Sequence, residues 1–302
     1  MRIGLYGSKV GPRGGLAAIG ADARTADEQG FASYWLPQWM ALDALTALSV
    51  IANAAPRIDL GTAVVPIYGR HPLVLALQAM TAQAATEGRI QLGIGLSHRP
   101  VVEDQMGLSY ERPALHMREY LTALDSLLRT GTAKVHGEIL RCEANVARMH
   151  ETPPPVLLAA LGPRMLKLAG EDAAGTILWL NGPRVVAEHV APRIREAADR
   201  AGRPEPRIVV GLPICVTDDV ERARATIRKA YSGIADFASY KSALSREGAD
   251  GPADVALVGN VAQFAESLDE LEQAGATEFL AMEVCKTPED AERTRAALVE
   301  LL

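Results

Sequence analysis

Gln91-Leu-Gly-Ile-Gly-Leu-Ser-His-Arg-Pro100 is an apolar run that stops at serine, histidine and arginine just before a long helical pattern. A parallel strand covered by helices on both faces reads this way, because it needs no polar face and its end hands polar groups to a ligand. Working outward finds the same unit repeatedly. Short apolar runs fall at Arg2 to Gly7, Ser33 to Leu36, Ile58 to Val65, Ile90 to Gly95, Val156 to Ala160, Thr176 to Leu180, Ile208 to Val216 and Glu278 to Val284. Helical periodicity fills the gaps, at Leu16 to Gln29, Leu42 to Ala54, Pro72 to Thr86, Pro113 to Leu128, Met165 to Ala173, Val185 to Ala201, Val220 to Tyr231 and Val261 to Gln273, and Asp290 to Leu302 closes the chain. The alternation predicts parallel strands joined by helices, and eight strands close a barrel.

The expected fold is α/β, a (β/α)8 TIM barrel forming one domain over residues 1–302. Such a barrel takes roughly 250 residues, so a chain of 302 residues has a surplus to place in insertions. These are expected near 130–148, where strand-like alternation surrounds Gly137, and near 231–258, where an extra helix precedes Glu247-Gly-Ala-Asp-Gly-Pro252. The competing fold is an open doubly wound sheet with a second domain. An alternation that never pauses for a linker speaks against it.

Composition narrows the function. With 48% hydrophobic and 23% charged residues the chain can bury a large core, which argues against disorder. A net charge of -6 without a basic run argues against nucleic acid as the main partner, and no apolar run is long enough to suggest a membrane span. The amino terminus enters a strand-like Arg2-Ile-Gly-Leu-Tyr6 rather than a signal peptide, so a cytoplasmic protein with a small-molecule substrate is expected. Cys142, Cys215 and Cys285 lie far apart, without C-x-x-C spacing, and read as free thiols.

In a barrel, function sits at the carboxyl ends of the strands. The clearest end is Ala159-Ala-Leu-Gly-Pro163, which leads straight into a helix near Arg164. Small residues let the backbone approach a ligand, and unpaired amides at a helix start favour an anion. The same residues also suit an ordinary strand-to-helix turn with proline in the first turn. Ser97 and Arg99, at the end of the preceding strand, would close the opposite side. Gly93-Ile-Gly95 lacks the third glycine of a dinucleotide fingerprint, and no metal-ligand spacing or nucleophile elbow is present.

Five segments in order then carry a family resemblance: Gly61 to Val65, Arg70-His-Pro-Leu73, Gly88 to Gly95, Pro155 to Ala160 with Gly162-Pro-Arg-Met165, and Asp172 to Trp179. Together with Val258-Gly-Asn260 they resemble the bacterial-luciferase-like flavin and deazaflavin oxidoreductases over nearly the whole chain. Gln38 and Gly95 to Pro100 resemble the branch that uses the deazaflavin coenzyme F420. The resemblance implies a non-proline cis peptide at Ala63-Val64 backing the central ring of the cofactor, and Gln38 facing the ring's reactive edge. It implies a phosphate between Ser97, His98 and Arg99 on one side and Ala160, Leu161, Gly162, Pro163 and Arg164 on the other. Trp39, Tyr68, Trp179 and Asn181 are expected along the substrate, with His98 or Tyr68 as proton donor.

The expected activity is transfer of a hydride to an activated C=C or C=N bond by F420, with no metal. An FMN monooxygenase is the alternative, then a non-catalytic flavin-binding protein; a metal-dependent isomerase is more distant. His98 is divided between anion binding and proton transfer, and its plainer role is a hydrogen-bonded loop residue positioning Ser97. His71, before Pro72, reads as a helix cap, His116 as packing, and His136, His150 and His189 as solvent-side. Trp35 is expected to pack outward against helices. The helices Leu42 to Ala54 and Pro72 to Thr86 offer a homodimer face.

Overall fold

The computed structural model describes residues 1–7, 15–38, 41–234 and 236–302. Its strands are β1 (Arg2–Tyr6), β2 (Ser33–Leu36), β3 (Asp59–Thr62), β4 (Val65–Pro66), β5 (Ile90–Gly95), β6 (Thr132–His136), β7 (Arg141–Asn145), β8 (Val156–Leu158), β9 (Gly175–Trp179), β10 (Arg207–Val216), β11 (Leu257–Gly259) and β12 (Glu278–Glu283). In the order β1, β2, β3, β5, β8, β9, β10 and β12 they pair side by side, and β12 returns to β1. Every pairing in this ring is parallel. The closed eight-stranded TIM barrel is therefore the fold, and the apolar runs are its strands because helices cover their outer faces.

Two strands depart from the expected pattern. The run Ile58 to Val65 is split into β3 and β4 around a cis peptide bond between Ala63 and Val64, the geometry that the resemblance implies. β4 still pairs with β5, matching Val65 to Ile94 and Pro66 to Gly95. The short β11 lies outside the ring against β10, where the sequence shows too few residues to carry a period. β6 and β7 form an antiparallel hairpin, and the amides of Glu138, Ile139 and Leu140 at its tip donate to the Glu119 carboxylate at 2.7, 3.0 and 2.8 Å.

Trp35 faces inward, not outward as expected. It packs in the barrel interior with Leu157, Ile177, Val209 and Leu280, and its neighbour Tyr34 takes the outer face, donating to Asp22 at 3.0 Å. All four residues of β2 are buried, so burial alone cannot assign its faces. Gly61 settles the matter, since a Cβ there would stand 2.2 Å from the indole. The indole N–H donates to Ser33 Oγ at 2.8 Å and to Glu278 at 3.2 Å. Glu278, wholly buried, pairs with Arg207 at 2.7 Å and plugs the amino end of the barrel. Chemistry is left to the opposite end.

Candidate active site at the carboxyl ends of the strands

One wall of this end is built from small residues. Ala63 and Val64 pack onto the interior cluster, and a Cβ on Gly95 would stand 2.8 Å from Val64 Cγ2 and 3.2 Å from Ala159 Cβ. Tyr6, at the end of β1, donates to the Ala63 carbonyl at 3.2 Å. Burial first, then Tyr240 and Tyr231, push its hydroxyl well above the ordinary value, so it stays protonated. The structure thus brings together Ala63, Val64, Gly95 and Ala159 as a flat backing without charge.

Next to this wall lies an open helix start. Gly162 caps the helix Pro163–Asp172 in extended conformation, and nothing among the described residues lies within 4 Å of where its Cβ would be. Arg164 is exposed and enters no ion pair among the described residues. His189, expected on the solvent side, is 8% exposed and places Nε2 2.9 Å from the Leu161 carbonyl, holding the turn from behind. The sequence repeats this punctuation one unit later: Gly182 caps a helix beginning Pro183-Arg184. There the site is filled by the chain itself, for the Glu247 carboxylate accepts from the amides of Arg184 and Val185 at 3.1 and 2.8 Å. The pair shows what such a turn accepts. A first-turn amide pair binds an anion, and the Gly162 copy has room for one.

Just past β5, Ser97 adopts a left-handed conformation with φ 59°, uncommon for a residue with a side chain. Tyr110 donates to the Ser97 carbonyl at 3.4 Å. Arg99, expected at the phosphate, pairs with Glu103 at 2.6 Å and lies over the Tyr110 ring. Burial pulls the His98 imidazole below its ordinary value, so it is neutral at pH 7 and offers an N–H rather than a positive charge. Tyr68 stacks on Tyr110, meets His116 edge-on, and its buried hydroxyl has no partner among the described residues. Burial pushes that hydroxyl up to about 12. The ring also borders a side cavity of about 610 Å³ between residues 67–72, the 108–112 loop and the hairpin tip.

Gln38 is half-buried, and its Oε1 accepts from the Ala44 amide at 3.3 Å and from Arg70 at 3.5 Å. Arg70 is held in turn by Asp43 at 2.6 Å. His71 caps the helix Pro72–Ala85, its Nδ1 accepting from the Leu73 amide at 3.2 Å. Trp39 lies outside the described residues. Trp179 stacks on Tyr6 at 5.6 Å, and Asn181, wholly buried, donates to the Trp179 carbonyl while its Oδ1 has no partner among the described residues. Buried polar atoms are paired in most proteins, so such orphans point to a ligand's place.

The sequence reading missed Tyr6, Tyr110, Tyr231, Phe237, Tyr240 and Glu247. Tyr231, Phe237 and Tyr240 fall in the stretch expected to be an insertion, and a signal was available: a cluster of aromatic residues in a chain with only 5% of them. Helix Ala238–Glu247 brings Phe237 and Tyr240 over His98. Among the described residues no cluster of His, Cys, Asp and Glu is disposed to hold a metal ion, and no helix is long and apolar enough to cross a membrane.

The chain resembles known proteins along nearly its whole length. The family model described as luciferase-like monooxygenase matches residues 6–278. A 5,10-methylenetetrahydromethanopterin reductase of Methanolobus tindarius is 26% identical over 98% of this chain and 90% of its own length. Among solved structures, the coenzyme F420-dependent tetrahydromethanopterin reductase of Methanopyrus kandleri superposes with a TM-score of 0.81 at 22% identity, covering 97% of this chain and 95% of the other. The oxygenating constituent of 3,6-diketocamphane monooxygenase of Pseudomonas putida, in complex with FMN, gives 0.79 at 17% identity, covering 99% and 97%.

Proposed function

We propose that this chain, which belongs to the luciferase-like monooxygenase family, is a coenzyme F420-dependent oxidoreductase that reduces an activated C=C or C=N bond of a small organic substrate. The observation that carries the reading is the open turn at Gly162 beside the small-residue wall, since the cofactor needs both an anion site and a flat backing. The similar reductase of Methanopyrus kandleri bears this cofactor in its name. When bound, the deazaflavin supplies a hydride.

The chain's own residues do the rest. The amides after Gly162, with Arg164 and Ser97, hold the phosphate, while Ala63, Val64 and Gly95 back the ring. Gln38, fixed through its oxygen by Ala44 and Arg70, turns its amide toward the reactive edge. Trp179 and Asn181 line the substrate. Tyr68 keeps its proton at neutral pH and can release it to a strongly basic carbanion or amide, whereas neutral His98 donates a hydrogen bond.

Titration of the purified chain with F420 and with FMN, followed by fluorescence, tests the reading. Tight binding of F420 is expected. Tight binding of FMN with none of F420 would replace it by the oxygen-using alternative. A second copy of the chain is the proposed partner, on the outer face of the helices Ala44–Ile51 and Pro72–Ala85. Val50, Val74 and Leu77 are 60%, 47% and 47% exposed there, and Gln78 Oε1 is buried without a partner. Sedimentation of wild type and L77E decides it, a dimer becoming a monomer.

A further inference from the structure

The rings at the mouth point to a class of substrate. Tyr6 from β1 and Trp179 from β9 stack at 5.6 Å and 23°. Tyr231 meets Trp179 edge-on at 5.6 Å. Phe237 lies flat on His98, with centroids 3.8 Å apart and planes 13° apart, and Tyr240 stands 5.6 Å from the same imidazole. Several of the described charged groups nearby are engaged. Glu247 is held by the amides of Arg184 and Val185, the Arg184 guanidinium by the Arg246 carbonyl, Glu283 by Arg295, and Arg99 by Glu103. A molecule entering this space meets ring faces and edges.

We propose that Phe237 and Tyr240, acting with Trp179, are specificity-determining residues that select a planar, conjugated substrate, an inference that rests on reading the mouth as a hydride-transfer site. The insertion supplies two of these three rings, and Glu247 ties its helix to the turn at Gly182. The box is complete only with that helix seated. A saturated ring of the same outline gains burial but not stacking, because only a π face has the charge distribution that favours offset and edge-on contacts.

Calorimetric titration with 2-naphthol and decahydro-2-naphthol tests this, with the purified chain alone and saturated with F420 or FMN. 2-Naphthol is expected to bind at least about threefold more tightly, and F237L and Y240L are each expected to reduce its affinity by roughly three- to tenfold. Y240F should retain the discrimination. Equal affinity of the wild-type chain for the two alcohols overturns the proposal, and so does discrimination unchanged in folded F237L and Y240L. The wild-type comparison decides the matter even where a variant fails to fold. If neither F420 nor FMN binds while the naphthol discrimination stands, the hydride-transfer reading falls and the planar-ring site survives. Cofactor binding without discrimination overturns the ring site alone.

Discussion

A Cβ on Gly95 would stand 2.8 Å from Cγ2 of Val64, so β5 keeps its course past the wall because residue 95 has no side chain. G95A must push Val64 or Ala159 aside. We expect it to cost about 1 to 3 kcal/mol of stability, as overpacked sites do, and to weaken F420 binding by more than that loss of fold explains. Urea titration paired with cofactor titration separates the two; an unchanged affinity would show that Val64 does not back the ring.

Gly162 predicts the opposite pattern. Its backbone is extended and its surroundings are open, so G162V should leave the thermal midpoint nearly where it was. The valine fills the space over the helix start, and F420 or FMN should bind on the order of tenfold more weakly, the effect of losing one charge-assisted hydrogen bond. Phosphate competition against the cofactor should weaken in parallel. Undiminished affinity in a folded G162V would move the anion site elsewhere.

Glu278 belongs to the other end of the barrel. It is buried, pairs with Arg207 at 2.7 Å, and accepts from Ser33 and Trp35. E278A leaves Arg207 without its carboxylate and should cost about 3 kcal/mol, somewhat less than a wholly buried pair because Arg207 is partly exposed. Denaturation measures the loss, and cofactor affinity of the folded fraction should not change. A loss of affinity without a loss of stability would contradict this division of the barrel.

Burial holds the imidazoles of His98, His116 and His189 below their ordinary value. The unfolded chain takes up protons as pH falls through about 6.5, where the native state resists them, so the unfolded state binds more protons and stability falls. Above pH 7.5 neither state is protonated and the effect vanishes. The urea midpoint should drop between pH 7.5 and 5.5, and H189Q should lessen the slope. A midpoint that rises on acidification over this range would reverse the assignment.

Removing the carboxylate in E247A should loosen the insertion rather than the barrel. Loss of a cap costs about 0.5 to 2 kcal/mol, here confined to the contact between helix Ala238–Glu247 and the Gly182 turn. Limited proteolysis should cut residues 232–250 faster while the core midpoint barely moves. Equal cleavage in wild type and variant would mean that other contacts hold the helix.

The barrel strands were legible because strands buried on both faces leave uninterrupted apolar runs, and the Ala63-Val64 bond because the resemblance reached it. What stayed hidden depends on distance in space. Trp35 and Tyr34 are equally apolar and equally buried, so only Gly61, 26 residues away in sequence, assigns the face. Cys285 reads as isolated and lies just past β12, yet the fold brings its thiol 3.4 Å from the Thr294 hydroxyl. His189 looked like a surface residue of a charged helix until the Leu161 carbonyl appeared above it. At the mouth, Ala63, Val64 and Gly95 were legible together, whereas the rings of the insertion had no periodicity to announce them.

Gly-Pro-Arg occurs at 162–164 and again at 182–184, and in the second copy Glu247 lies with its oxygens 3.1 and 2.8 Å from successive amides. The molecule therefore carries a built-in template for its own inhibitor. A short carboxylate placed as Glu247 is placed, and joined to a flat ring, would fit the Gly162 turn by imitating the Gly182 one.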